Sequence, residues 1–350
     1  MRGERRLLAA TRREEVDATP VWFMRQAGRS LPPYRELRRR WGLMEMVHQP
    51  ELCAEVTCLP VELLGVDAAV LFADIMLPLE GMGVPFEIRE EVGPLVENPI
   101  RTRSQVESLR TPGAAEAYPF LLEGIRLARQ RLAGEAALIG FGPSPFTLAC
   151  YLVEGRGSRD YPRVRALLHS DPAMLGQLLE TLTEVLAGYL LAQAEAGAQV
   201  LQVFDSWVGI LDPASFREHL LPHLRRLFSR LRGSVPAIYF STGSSHLLAE
   251  IAGTGAPGIS VDWRVPLDQA WELVGADRFL QGNLDPAAVL APWDRLRPLA
   301  EDVLARAGGR RGHIFNLGHG VLPDTEPDQL RRLVDLVHEF PLEPRHRVRA

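Results

Sequence analysis

Three cysteines in 350 residues are too few and too scattered for a disulfide framework, and Cys53, Cys58 and Cys150 contain no Cys-x-x-Cys pair. A reducing cytoplasm is the expected compartment. No apolar run approaches the roughly 18 residues of a membrane span, and the charged opening from Met1 to Arg6 holds no apolar signal core. Neither export nor membrane insertion is expected. Positive charge is not in excess: the formal net charge is −5, which disfavours nucleic acid or an anionic membrane as partner. Chemistry-bearing motifs are also sparse. There is no Gly-x-Ser-x-Gly elbow, and Gly155-x-Gly157 is followed by Asp160 where a dinucleotide loop needs a third glycine. His219 and His223 have metal-ligand spacing on a helix, but Glu218 precedes the pair instead of following His219, so no metal site is read there. No lysine is placed for a Schiff base, and no cofactor motif is visible.

What is present is a globular composition, with 46% hydrophobic and 24% charged residues. The length allows one large domain or two smaller ones. Eight short apolar runs recur with helical stretches between them: Pro20 to Met24, Ala68 to Phe72, Ala136 to Phe141, Gln199 to Phe204, Pro236 to Phe240, Gly258 to Val261, Arg278 to Gln281 and His313 to Leu317. Their nearly unbroken hydrophobicity suits parallel strands covered on both faces. Asp171-Pro172, Asp212-Pro213 and Asp285-Pro286 read as helix starts, Gly197 as a helix stop, and Thr325 to Asp328 as a capping-box variant opening a last amphipathic helix. Eight such alternations favour a single-domain (β/α)8 barrel over residues 1–350, with an excursion from Gly81 to Ile100 and a flexible loop from Gly155 to Ser158.

In such a barrel the chemistry gathers at the C-terminal strand ends. Arg25 and Arg29 come after the first run, Asp74 after the second, Asp205 and Ser206 after the fourth, Ser241 and Thr242 after the fifth, Asp262 after the sixth, Asn283 after the seventh and His319 after the eighth, with Tyr151 farther along behind the third. Guanidinium forks suit bidentate binding of carboxylates, so these positions describe a basic mouth for a polyacidic ligand. Taken singly, Arg25 and Arg29 could equally form structural ion pairs, and Asp74 could cap a loop. Arg38, Arg39 and Arg40 read as a solvated helix face.

Six ordered segments resemble uroporphyrinogen decarboxylases: Pro20 to Arg29, Asp67 to Ile75, Tyr151 to Ser158, Phe204-Asp205-Ser206, Gln281 to Pro286 and Asn316 to Gly320. The resemblance implies a homodimeric barrel that converts the four acetate arms of uroporphyrinogen to methyls without a cofactor. It also implies that Arg25, Gln26, Ala27, Gly28, Arg29, Asp74, Tyr151, Ser206 and His319 contact substrate, with Asp74 and Arg25 catalytic. The chain departs from the family pattern at Ser30, at Pro33 and in the Gly142 to Pro145 turn, all near the mouth.

Loss of CO2 leaves an electron pair that needs a sink. With no prosthetic sink in the sequence, a protonated pyrrole must take that role, and a carboxylate beside the ring N–H groups would stabilise it. Asp74 is the candidate. Arginine is a poor acid near neutrality, so the proton donor is left between Arg25 and a water held by Asp74. Two rival functions share these residues. A zinc-dependent methyltransferase would need thiolate and imidazole ligands at strand ends, where this chain has Ser241-Thr242-Gly243. A non-catalytic tetrapyrrole carrier would need the arginines but not Asp74.

Overall fold

Short apolar strands that must be covered on both faces leave few arrangements other than a curled parallel sheet wrapped in helices. A computed structural model describes residues 1–89 and 93–342 of the chain. Its strands are β1 (Ala68–Val70), β2 (Phe86–Arg89), β3 (Gly93–Val96), β4 (Ala137–Pro143), β5 (Val200–Asp205), β6 (Ala237–Ser241), β7 (Gly258–Ser260), β8 (Phe279–Gln281) and β9 (His313–Ile314). Seven of them pair in parallel in the order β1-β4-β5-β6-β7-β8-β9. The expected first strand, Pro20 to Met24, joins the two free edges through very few bonds. Phe315 donates its N–H to the Pro20 carbonyl at 2.8 Å, and Asp67 donates to the Val21 carbonyl at 2.8 Å on the other side. The single-domain (β/α)8 architecture is thus present, with its first strand reduced to one parallel bridge between Val21 and Phe315.

The helix punctuation behaves unevenly. Asp171 accepts a hydrogen bond from the Met174 N–H and caps helix Pro172–Ala196, which ends at Gly197 as expected. Asp212 caps a short turn that runs through a π-helical segment, Phe216–Leu220, into helix Leu221–Leu231. His219 lies in that π segment, so it and His223 do not occupy successive turns of a regular α-helix. Asp285-Pro286 opens a 3-10 turn, Pro286–Leu290, and the α-helix begins later at Trp293. The capping box expected at Thr325 does not form: helix Pro327–Glu339 has no side-chain cap, and the Thr325 hydroxyl is buried without a partner. Pro327, at the first helical position, lacks an N–H and presets the helical φ, which lessens the need for that cap.

The excursion pairs β2 and β3 as an antiparallel hairpin, and residues 90–92 lie outside the described residues. Residues 343–350 of the expected domain lie outside them too. The hairpin docks on helix Pro145–Glu154, where Val96 donates to the Gly155 carbonyl and Ile100 to that of Leu152, both at 2.8 Å. This places it beside Tyr151.

The barrel is filled. Trp22 Nε1 donates to Gln281 Oε1 at 2.9 Å, while Gln281 Nε2 donates to Gln202 Oε1 at 3.0 Å and to Ser260 Oγ at 2.9 Å. Because β5 and β8 are not neighbours, these bonds cross the interior. Two residues farther along a strand lies the same face. Phe204 therefore stands above Gln202, and its ring meets Phe141 at 5.4 Å and Phe240 at 5.6 Å, both edge-on. Three phenylalanine rings thus form an apolar floor at the C-terminal mouth.

Candidate active site

The first strand delivers its arginines through a sharp backbone reversal. The Met24 carbonyl accepts from Val321 N–H at 2.8 Å, after which Arg25 takes φ +59°, a region that a residue with a side chain enters only when its surroundings enforce it. Gln26 does much of the enforcing: it is buried, its Oε1 accepts from Phe23 N–H at 2.9 Å, and its Nε2 donates to the Ala68 carbonyl at 2.8 Å. Gly320, after the eighth strand, supplies the room. A β-carbon there would lie 2.7 Å from Arg25 Cγ. Ala27 and Gly28 form the half-buried turn that leads to Arg29, and the Gly28 carbonyl accepts from Leu31. Both Arg25 and Arg29 are exposed, and among the described residues neither guanidinium has a hydrogen bond or salt bridge to another protein group.

Asp74 opens the turn that follows β1. It is half-buried and its Oδ1 accepts from Met76 N–H at 2.8 Å. Burial lifts its pKa above the usual carboxylate range, opposed by the Met76 N–H and then by the Arg25 charge. Asp74 and Arg25 therefore sense one another across the mouth. His319 also belongs to this field. Burial, reinforced by the Arg25 charge, pushes its imidazole down to about 4, so it is neutral at pH 7. Its ring stands edge-on to Phe240 at 6.1 Å, extending the apolar floor.

Tyr151 lies buried on helix Pro145–Glu154, edge-on to Tyr161 at 6.0 Å and Trp207 at 6.1 Å. Burial raises its phenol pKa, so it stays protonated near neutrality. The turn at Ser206 is set from behind: its N–H donates to Thr147 Oγ1 at 3.0 Å, and Thr147 donates to Asp205 Oδ1 at 3.0 Å. The structure thus brings Arg25, Arg29, Asp74, Tyr151, Ser206 and His319 to one end of the barrel. The other strand-end residues brace it. Asp205 faces outward and accepts from Tyr239 at 2.7 Å, and Asn283 Nδ2 donates to the carbonyls of Asp262 and Val265. Sequence reading did not single out Phe141, Phe204, Phe240, Trp207 or Tyr161 as lining. Counting two residues from Gln202 along the strand would have found Phe204, although nothing local separates a floor ring from a core ring.

Burial also makes two ionisations oppose each other. Asp205 is raised to about 6, while His313 and His319 are lowered to about 4. Between pH 6.5 and 4 the unfolded chain binds histidine protons that the folded one refuses, which weakens the fold on acidification. Between pH 6 and 3.8 the folded chain takes an Asp205 proton that the unfolded one does not, which strengthens it. Asp205→Asn removes the offset. This variant should lose stability more steeply than the parent from pH 6 to 4, by up to about 1.4 kcal/mol per pH unit, in denaturant titrations. Parallel pH profiles of the two proteins would refute the assignment.

Comparison with known proteins bears on this arrangement. Residues 2–340 match the family model described as Uroporphyrinogen decarboxylase (URO-D). A uroporphyrinogen decarboxylase of Roseiflexus sp. (strain RS-1) is 47% identical over 344 residues, covering 97% of this chain and 99% of the relative. One from Thermus thermophilus is 50% identical over 334 residues, covering 95% and 97%. Among solved structures, a methyltransferase from Methanosarcina mazei superposes with a TM-score of 0.81 at 24% identity, over 97% of this chain and 99% of its own. That likeness extends to the fold alone.

Proposed function

The chain belongs to the uroporphyrinogen decarboxylase family, and from that membership we propose how its cleft handles the substrate. The enzyme is a carboxy-lyase of porphyrin biosynthesis, converting the acetate arms of uroporphyrinogen to methyls and yielding coproporphyrinogen.

Arg25 and Arg29 grip substrate carboxylates, since their guanidiniums are exposed and, among the described residues, uncommitted to protein partners. The macrocycle lies over the rings of Phe141, Phe204 and Phe240, with its pyrrole N–H groups toward Asp74. Tyr151, Ser206 and His319 line the remaining wall, and Gln26, Ala27 and Gly28 hold the arginines in place. The chain contains no lysine, so no Schiff base can take the electrons. A pyrrole carbon is protonated first, and the ring becomes a cation. The bond from the arm methylene to its carboxylate then breaks, CO2 leaves, and the electron pair neutralises the ring. A proton added to the exocyclic methylene gives the methyl, and loss of the ring proton restores the pyrrole. Asp74 stabilises the cationic stages. A water held by Asp74 suits the donor role better than Arg25, whose type of side chain is a weak acid near neutrality.

The observation that carries this reading is the reversal at Arg25: a backbone at φ +59° aims a guanidinium, unpaired among the described residues, into the field of a half-buried carboxylate. Assembly as a homodimer and residence in the cytoplasm belong to the same proposal and are supported by the likeness to the family. No helix among the described residues is long and apolar enough to cross a membrane. The deciding experiment is anaerobic incubation with reduced uroporphyrinogen, followed by a count of product carboxyls. Stepwise loss of the four acetate carboxyls is expected; tight binding with no loss would mean a carrier.

A further inference from the structure

Arg264 lies beyond β7 on the same C-terminal face, two residues after Asp262. Its guanidinium sits over the Trp263 ring, 4.0 Å from the centroid, and its Nη1 donates to Asp262 Oδ2 at 2.7 Å. Asp262 is itself fixed: almost fully buried, it accepts from Gly243 N–H at 2.5 Å, from Thr242 Oγ1 at 3.2 Å and from Arg264 N–H at 2.9 Å. The pedestal abuts the eighth strand end. A β-carbon at Gly318 would lie 2.9 Å from the Asp262 carbonyl carbon, so the chain can pass there only as glycine, and His319 comes next. His319 feels the Arg264 charge as well as that of Arg25. Arg264 is thus a third arginine at the mouth. Its side chain keeps 48% of its surface exposed although Nη1 is committed, leaving the Nε–Nη2 edge without a hydrogen bond among the described residues.

We propose that Arg264 is a substrate-binding residue that holds a propionate carboxylate of the porphyrinogen. An arginine stacked on an indole and tied to a buried carboxylate is pre-oriented, so it offers its free edge as a fork at little entropic cost. For the same reason it cannot follow an acetate arm toward Asp74. It suits an arm that persists through every decarboxylation, and the propionates are those arms. Asp262 keeps its backbone donors without the guanidinium, so the loop survives its removal.

The inference rests on uroporphyrinogen as substrate, and the test separates the two. Arg264→Gln and the parent enzyme are assayed with uroporphyrinogen and with the pentacarboxylate porphyrinogen, which retains all propionates and one acetate. Arg264→Gln should raise KM about tenfold for both substrates, the loss of one charge-assisted contact, with kcat within about threefold and an unchanged melting curve. Arg264→Lys should recover part of the affinity. An unchanged KM, or a rise confined to uroporphyrinogen, overturns the propionate assignment. Failure of the parent enzyme to remove carboxyls would instead overturn the reaction itself.

Discussion

Asp74→Asn is expected to lower kcat on uroporphyrinogen by about 100-fold or more while leaving the barrel folded. The substitution is nearly isosteric. The side-chain oxygen that accepts from Met76 N–H at 2.8 Å is retained, so the turn after β1 keeps its cap. What disappears is the negative charge facing the substrate. That charge matters most when the pyrrole is protonated, because the cation develops in a partly desolvated cleft above an apolar floor, where a fixed counter-charge is screened little. Asp74 already bears the cost of burial, shown by its raised pKa, with only the Met76 N–H and the Arg25 charge to offset it. Substrate carboxylates still meet Arg25 and Arg29, so KM should move much less than kcat. Anaerobic single-turnover rates and a thermal melt check both halves. Near-normal turnover by a folded Asp74→Asn enzyme would remove Asp74 from the mechanism.

How much of this is legible in the sequence differs from residue to residue. Strand β4 is legible because both faces are covered, so its apolar run carries no polar interruption to blur it, and β5 stays legible although Gln202 interrupts its run from the barrel interior. The first strand is legible as a run, but its reduction to a single bridge between Val21 and Phe315 is not, since pairing depends on what the neighbouring edges offer. The arginines and Asp74 are found by looking just past the C-terminal end of each strand. Their commitments are invisible there: Arg25 and Arg306 are the same letter, yet Arg306 is bound to Asp268 and Asp302 while Arg25 has no ion pair among the described residues. Asp205 and Asp74 likewise both lie at the C-terminal side of strands, and only the packing shows that Asp205 faces outward to Tyr239 and Thr147. Arg264 escapes notice for a related reason. It lies two residues beyond the strand-end Asp262, and its value comes from the Trp263 ring and the Gly318 approach, which join distant parts of the chain.

Asp67→Ala should produce the largest loss of stability, on the order of 3 kcal/mol, equivalent to roughly 4 °C in Tm for a chain of this size. Asp67 stands where the first strand meets β1, with a side chain only 2% exposed. Its Oδ1 accepts from Arg6 at 2.6 Å, and its Oδ2 accepts from Val21 N–H and from His338 Nε2, both at 2.8 Å. One carboxylate therefore ties helix Gly3–Thr11, the first strand and helix Pro327–Glu339 to the seam of the barrel. Alanine would strand the buried Val21 N–H and leave the largely buried Arg6 with Asp17 as its nearest carboxylate, at 2.7 Å. An unpaired buried donor and a half-compensated buried charge are each costly, whereas the methyl gained contributes little. The seam is also the approach to the active site, since Val21 lies four residues before Arg25. Loosening it should let Arg25 relax from φ +59° and raise KM for uroporphyrinogen well below the melting temperature. Denaturant titration and KM measured on the same preparation test both consequences, and a loss of stability with KM unchanged would show that Gln26 and Gly320 hold Arg25 without help from the seam.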